Sequence, residues 1–419
     1  MPRTAEIIAV GSELLTGGVT NTNARFLSEL LTAAGVDVLY HTAVGDDEGR
    51  LEAAVTAARQ RAELLVCTGG LGPTYDDMTK TAVCAALDTP LVFHPDIVPD
   101  IRRYFDTVFH REMPACNLRQ AYLPQGCTVF RNPVGTAPGC AFTAGGVTAV
   151  LLPGVPSECR YLAEHCLLPY LERLHGQVIR SHDLRIFGLT EPQVQELLND
   201  LLHQEKDLTL APYAGTGEVS LHLSARAADE AACEARMAPL LAEVRRRLDS
   251  YLYGTDVSGL AETALHLCQA RGLTLSAAES CTGGLIAKRL TDIPGASRTF
   301  LGGVVSYTNA VKQHVLGVPA SLLETYGAVS APVARAMAMG VRVLTGSDLA
   351  LSVTGLAGPA GDDHGGPVGT VFTALSTPQG VFVRQLALGG DRERIRTLSA
   401  HHALDLLRRY LTDQMTGGE

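Results

Sequence analysis

Through the first third of the chain, short continuous apolar runs alternate with stretches whose apolar residues recur at helical spacing. Ala5–Val10, Leu64–Thr68 and Val147–Leu152 carry little polar alternation, the pattern of strands covered on both faces. Val36–Tyr40 reads as a further strand. Between them lie a helix from Ala24, capped from Asn21-Thr-Asn23, and another from about Asp47 to Arg61. Strand and helix in alternation predict a parallel sheet with helices on both faces, and ligands in such sheets sit at the carboxyl ends of strands.

The pattern changes near Ser181. A short strand (Asp183–Gly188) precedes a helix opened by Thr190-Glu191-Pro192, then strands at Leu208–Pro212 and Glu218–Ser224 lead to a long charged helix, about Glu230 to Ser250. No chemistry is evident here, and His222 alternates with Leu221 and Leu223 as a strand-face residue. After a linker through Gly259 the α/β rhythm resumes: a helix from Leu260, an apolar strand ending at Glu279, a helix to Thr291, and strands at Val304–Tyr307, Leu349–Val353 and Val371–Leu375. The expected class is α/β throughout, with a parallel-sheet domain (1–175), a small α+β module (176–254) and a second α/β domain (255–419).

Composition narrows the function. In 419 residues there is no tryptophan, only 5% aromatics and a net charge of −10, a poor basis for a nucleic-acid surface built from basic patches and stacking rings. No apolar run reaches the roughly 18 residues of a membrane span, and the N-terminus enters a strand without a leader, so a cytoplasmic protein is expected. The ten cysteines are scattered, mostly inside apolar runs, which suits buried cytosolic thiols.

Candidate chemistry gathers at strand ends. The third strand runs into Gly69-Gly70-Leu71-Gly72-Pro73-Thr74-Tyr75-Asp76-Asp77, where glycines let the backbone close on an anion and a helix offers its N-terminus. Two carboxylates beside a phosphate cradle suit a divalent cation; equally, they suit a helix cap with an acidic first turn. Gly154, Ser157 and Glu158 form a similar turn, with Glu158 either a ligand or base or an ordinary first-turn glutamate. Further on, Ser280, Cys281 and Thr282 with Gly283 occupy a strand–turn–helix junction, able to present a nucleophile beside unpaired amides. Lys312, one turn into a helix after Tyr307 and Asn309, is either a surface lysine or, if desolvated, a base for a serine hydroxyl. Thr354, Gly355 and Gly358 make a glycine-rich loop suited to phosphate or oxyanion contacts, and among Arg392, Arg394 and Arg396 one facing the pocket would hold a substrate phosphate.

These motifs in this order resemble the competence/damage-inducible CinA family along essentially the whole chain. Val10-Gly-Ser-Glu-Leu-Leu, Gly-Gly-Leu-Gly-Pro-Thr-x-Asp-Asp and Leu152-Pro-Gly-Val-Pro-Ser-Glu are similar to its molybdopterin-binding-like N-terminal domain. The middle resembles its KH-type module, for which the likeness implies dimerisation. Ala278-Glu-Ser-Cys-Thr-Gly-Gly284, Tyr307-x-Asn-x-x-Lys312, Gly355-x-Ala-Gly-Pro359 and Pro367-Val-Gly-Thr370 resemble its C-terminal domain. The resemblance implies hydrolysis of ADP-ribose to AMP and ribose 5-phosphate at the first domain. A divalent metal (Mg, Mn or Co class) near Asp76 and Asp77, and potassium, would serve there. At the last domain it implies metal-free deamidation of nicotinamide mononucleotide, with Ser280 as nucleophile, Lys312 as base and Tyr307 assisting. Tyr75 and Gly366 stand where many relatives carry other residues, a lysine in the second case. A second reading is a non-catalytic nucleotide- or pterin-binding protein that supports competence through protein partners.

Overall fold

A computed structural model describes residues 4–175, 178–202, 207–359, 361 and 366–414. The chain forms two compact units, the first ending at Ser181 and reclaiming Ser224–Ala238, the second taking His182 onward, Thr209–Leu223 and the chain from Pro239. The segment expected as a separate middle module is thus divided between them.

In the first unit the strands are β1 (Thr4–Val10), β2 (Asp37–Val44), β3 (Leu64–Thr68), β4 (Leu91–Phe93), β5 (Tyr122–Pro124), β6 (Thr128–Phe130), β7 (Gly139–Ala144) and β8 (Val147–Leu152). Six of them form a sheet in the order β2-β1-β3-β8-β7-β6. The first four are parallel, as the strand–helix alternation predicts; β7 and β6 add an antiparallel edge. β7 escapes sequence reading because its residues fall in what looks like one long small-residue loop; Gly145 and Gly146, both at positive φ, turn it back into β8. Both faces are covered. Ile7, Leu64, Val66, Val150 and Leu152 pack against the helix Thr22–Ala33, while Ile8, Leu65, Cys67, Ala149 and Leu151 face the helix Glu48–Ala58 and its neighbours. Two buried faces explain why these strands read as unbroken apolar runs.

Between the two large sheets in sequence come β9 (Val178–Phe187), β10 (Leu208–Ala214), β11 (Glu218–Ala227) and β12 (Leu252–Thr255), in the order β10-β11-β9-β12. The second unit also contains β13 (Leu275–Glu279), β14 (Phe300–Val305), β15 (Leu349–Gly355), β16 (Thr370–Thr377) and β17 (Gly380–Ala387), ordered β14-β13-β15-β16-β17. Here too a parallel centre (β14, β13, β15) carries an antiparallel flank. The helices Leu260–Ala270 and Arg392–Leu411 cover one face, and Ala331–Thr345 the other. Among the described residues no helix is long and apolar enough to cross a membrane.

Each of the two large sheets has a point where successive crossovers leave a central strand in opposite directions. In the first unit this is β1, flanked by β2 and β3; in the second it is β13, flanked by β14 and β15. The carboxyl ends of these strands are where a crevice opens.

Gly69 fixes the first crevice. It holds φ +106°, and a Cβ there would stand 2.1 Å from the Val10 carbonyl oxygen. Gly69→Ala is therefore expected to cost at least about 1–3 kcal/mol from the backbone conformation alone, measured by urea denaturation. Gly126→Ala, which meets nothing within 4 Å at a similarly left-handed φ of +73°, separates the conformational cost from the collision.

Candidate functional site

The second-unit crevice brings Ser280 and Lys312 together. Ser280 follows the last residue of β13, and its amide donates to the Val353 carbonyl of β15 at 2.9 Å. The Ser306 amide, just past β14, donates to the Glu279 carbonyl at 2.7 Å. The nucleophile candidate is thereby held at a junction of three strands. Thr308 caps the helix Asn309–His314, accepting from the Val311 amide, and the next residue of that turn, Lys312, points back into the junction. Its amine lies 3.1 Å from Ser280 Oγ and donates to the Ser306 carbonyl at 2.8 Å. Lys312 is 2% exposed and Ser280 9%. No carboxylate pairs with the amine among the described residues, and burial pushes its pKa below that of a lysine in water.

Glu279, which precedes Ser280, is 1% exposed, yet its carboxylate does not turn to Lys312. It accepts from the amides of Gly284 (3.0 Å), Ile286 (3.1 Å) and Ala287 (2.9 Å), the free N–H groups that open the helix Leu285–Thr291. These amides were part of the expected oxyanion-stabilising turn; an internal carboxylate occupies them instead. The amides of Cys281 and Thr282 turn to the Cys281 thiol, a weak acceptor. Cys281 is buried, and burial pushes its thiol up to about 11, which leaves it protonated near neutrality. Thr282 is fully buried with an unpaired hydroxyl, not a group presented to a ligand. Gly283 and Gly284 hold φ +62° and +96°, completing the turn.

The other residues named from sequence divide. Tyr307 is 57% exposed, and its hydroxyl accepts from Arg392 at 2.9 Å; it contacts neither Ser280 nor Lys312, so a direct proton relay is not present. Arg392 also donates to the Gly358 carbonyl. Arg396, expected on a substrate phosphate, donates instead to the Cys281 and Thr282 carbonyls at 3.1 and 2.9 Å and braces the nucleophile turn. Asn309 is exposed at the helix start. Thr354, buried at the end of β15, donates to the Ala328 carbonyl; Gly355 is required because a Cβ would meet Val371 and the Thr370 carbonyl.

The first-unit crevice is a cavity of about 470 Å³ at the ends of β1, β3 and β8, walled by Gly70, Gly72, Gly154, Asn23, Gln120 and Glu158 among others. Asn23 donates to Thr68 Oγ1 and the Gly154 carbonyl, and Thr79 to the Gly69 carbonyl, which sets the loops on either side. Asp77 has both oxygens committed: one accepts from the Gly72 amide, the other from the amide and hydroxyl of Thr74. Asp76 and Ser157 are exposed and do not line the cavity. Glu158 faces the cavity, accepts from Asn132 at 2.6 Å, and is raised above the usual carboxylate range by desolvation. Among the described residues no three His, Cys, Asp or Glu side chains come together to hold an ion. Asp77 lines the cavity while clamping its own loop and Asp76 is exposed, so the side chains as placed do not form a protein-built metal cage among the described residues.

Sequence reading missed Glu279 and Asn23 as positioning residues. The signal for Glu279 was a carboxylate ending an otherwise apolar strand five residues before a helix, the reach of a long N-terminal cap.

The chain matches three family models: a CinA C-terminal domain over residues 257–411, a molybdopterin-binding domain over 6–173, and a damage-inducible protein CinA KH domain over 181–254. A CinA-like protein of Desulfovibrio desulfuricans is 45% identical over 411 residues, covering 97% of this chain and 96% of that one. A CinA-like protein of Kosmotoga olearia is 41% identical over 409 residues, covering 97% and 98%. A solved structure of the competence/damage-inducible protein CihA of Agrobacterium tumefaciens is 40% identical, covers 36% of this chain and 93% of its own, and has a TM-score of 0.35. Matched along nearly its full length, the chain belongs to the CinA family.

Proposed function

We propose that the second-unit crevice hydrolyses the carboxamide of nicotinamide mononucleotide, giving nicotinic acid mononucleotide and ammonia through an acyl-serine. The observation that carries this reading is the 3.1 Å approach of a buried lysine amine with no carboxylate partner to a serine hydroxyl. In its neutral form Lys312 accepts the Ser280 proton as Oγ attacks the carboxamide carbon. The oxyanion that forms draws the Cys281 and Thr282 amides from the Cys281 thiol, the weaker acceptor. When the tetrahedral adduct collapses, the C–N bond breaks, Lys312 returns its proton to the nitrogen, and ammonia leaves. Water then adds to the acyl-serine with the same lysine as base, the ester bond breaks, and the proton returns to Ser280. No metal enters any step. The substrate class comes from the resemblance of Ala278–Gly284 and Tyr307-x-Asn-x-x-Lys312 to the family's C-terminal motifs, and the reading goes with a cytoplasmic homodimer.

For the first-unit cavity we propose hydrolysis of ADP-ribose to AMP and ribose 5-phosphate. Its support is the glycine-walled crevice at a sheet switch point with the desolvated Glu158 facing in. A divalent ion and potassium belong to the reading by family likeness; since the side chains do not form a cage, no step is assigned to either.

Three outcomes check these proposals. Ser280→Ala should abolish ammonia release from nicotinamide mononucleotide, followed by a coupled ammonia assay, while ADP-ribose cleavage continues. Retained ammonia release would remove Ser280 as nucleophile, and no turnover of either nucleotide by the unaltered protein would favour the binding-protein reading.

The base role fixes the sign of the pH dependence. Lys312 acts only when neutral, so kcat/KM should fall on the acid side as the amine protonates, the midpoint lying below that of a free lysine. Lys312→Met should lose at least about 100-fold in kcat/KM and flatten that limb; an unchanged limb would assign it to another group.

In the first unit, Glu158→Gln should lower AMP production from ADP-ribose at least tenfold, with deamidation unaffected. Chromatographic product analysis of both nucleotides in one preparation checks this.

A further inference from the structure

A second cavity of about 470 Å³ lies in the second unit, apart from Ser280, among the start of the helix Leu260–Ala270, the end of the helix Leu285–Thr291, the helix Arg392–Leu411 and Glu218 of β11. Its wall contains two opposite charges that do not pair. Arg289 is partly buried and has no hydrogen bond or salt bridge among the described residues. Glu218, within range of its field, uses one oxygen to accept from Tyr253 at 3.0 Å; no salt bridge joins it to Arg289.

Arg185 also acts on Glu218 without a salt bridge among the described residues, and desolvation raises Glu218 above the usual carboxylate range; the remaining charges around the cavity are matched. Asp292 pairs with Lys288 at 2.6 Å, and Glu262 accepts from the amide and hydroxyl of Ser258. Glu393, which also acts on Arg289, pairs with Arg396 at 3.2 Å. His401 lines the cavity, is 8% exposed, and neither ring nitrogen has a hydrogen-bond partner among the described residues; Glu218 stands 3.9 Å from Nε2. Burial lowers this imidazole to about 3, so it is neutral at physiological pH and adds a dipole without a charge. Leu260, Ala261, Ile293 and Leu404 supply the apolar remainder of the wall.

An unpaired guanidinium near the positive end of an 11-residue helix suits a carboxylate, and an acid with a free oxygen suits an ammonium group. A buried imidazole left without partners calls for a polar ligand, and the volume suits a small molecule. We propose that this cavity binds a free α-amino acid with an apolar side chain, its carboxylate on Arg289, its ammonium on Glu218 and its side chain against Leu260, Ile293 and Leu404. The site is independent of the deamidase reading, since neither charged residue contacts Ser280 or Lys312.

Isothermal titration of the full-length protein with L-leucine tests it, beside 4-methylpentanoate, which lacks the ammonium, and 3-methylbutylamine, which lacks the carboxylate. L-leucine should bind, each single-charge analogue at least tenfold more weakly. Arg289→Gln and Glu218→Gln should each weaken leucine at least tenfold with an unchanged circular dichroism spectrum. The proposal is overturned if none of the three probes gives heat, if 4-methylpentanoate binds as well as leucine (a plain anion site), or if leucine binding survives in both variants. Should one variant fail to fold, the other variant and the analogue series still decide the matter.

Discussion

The structure around Ser280 depends on where one carboxylate goes. Glu279 is adjacent to the nucleophile candidate and as deeply buried as the lysine, and a salt bridge with Lys312 would be the ordinary way to relieve both. Three helix amides take the carboxylate instead. An anion hydrogen-bonded by backbone N–H groups at a helix start is well satisfied without a cation. The amine, left with a hydroxyl and a carbonyl, has no counter-ion to offset its desolvation. Had the two groups met, the lysine would hold its proton tightly and could not serve as a base. The helix cap and the base are therefore one arrangement, since the first removes the counter-ion of the second.

Topology explains why both crevices form where they do. In each unit a central parallel strand sends one crossover to either side, so the loops at its carboxyl end splay apart. In the first unit the opening is walled by glycine loops; in the second a lysine from the helix following β14 reaches the serine after β13. The antiparallel flanks β7–β6 and β16–β17 lie away from these points and extend the sheet without closing either crevice.

Much of this was legible in the chain. The unbroken runs at Ile7-Ile8 and Leu64–Cys67 specify strands buried on two faces, and Asn21, Asp47 and Thr308 cap helices where their spacing predicts. The proximity of Ser280 and Lys312, 32 positions apart, follows from parallel strands whose ends must align. What stayed hidden was the direction of side chains at loop ends. Asp77 reads as a metal ligand because it sits beside glycines, yet those glycines leave amides that need an acceptor, and Asp77 supplies it. Tyr307 and Lys312 fall five residues apart across a strand-to-helix junction, and the junction sends one outward and the other in. β7 was obscured by glycine and proline flanks that resemble a loop.

A common pattern joins the charged residues of these loops. Arg396, Arg392 and Asp77 are charged side chains at loops expected to contact substrate or metal, and each, like Glu279, holds a loop or turn by main-chain hydrogen bonds. Their geometry follows from what a short turn leaves behind, carbonyls on one side and amides on the other, none of which can be buried unpaired. Arginine satisfies the first set and carboxylate the second. The loops around Ser280 and Gly72 are rigid for that reason. The groups left to face a ligand there are mostly backbone amides, small residues and a single buried amine, so substrate recognition rests more on the shape of the turn than on the number of charges around it.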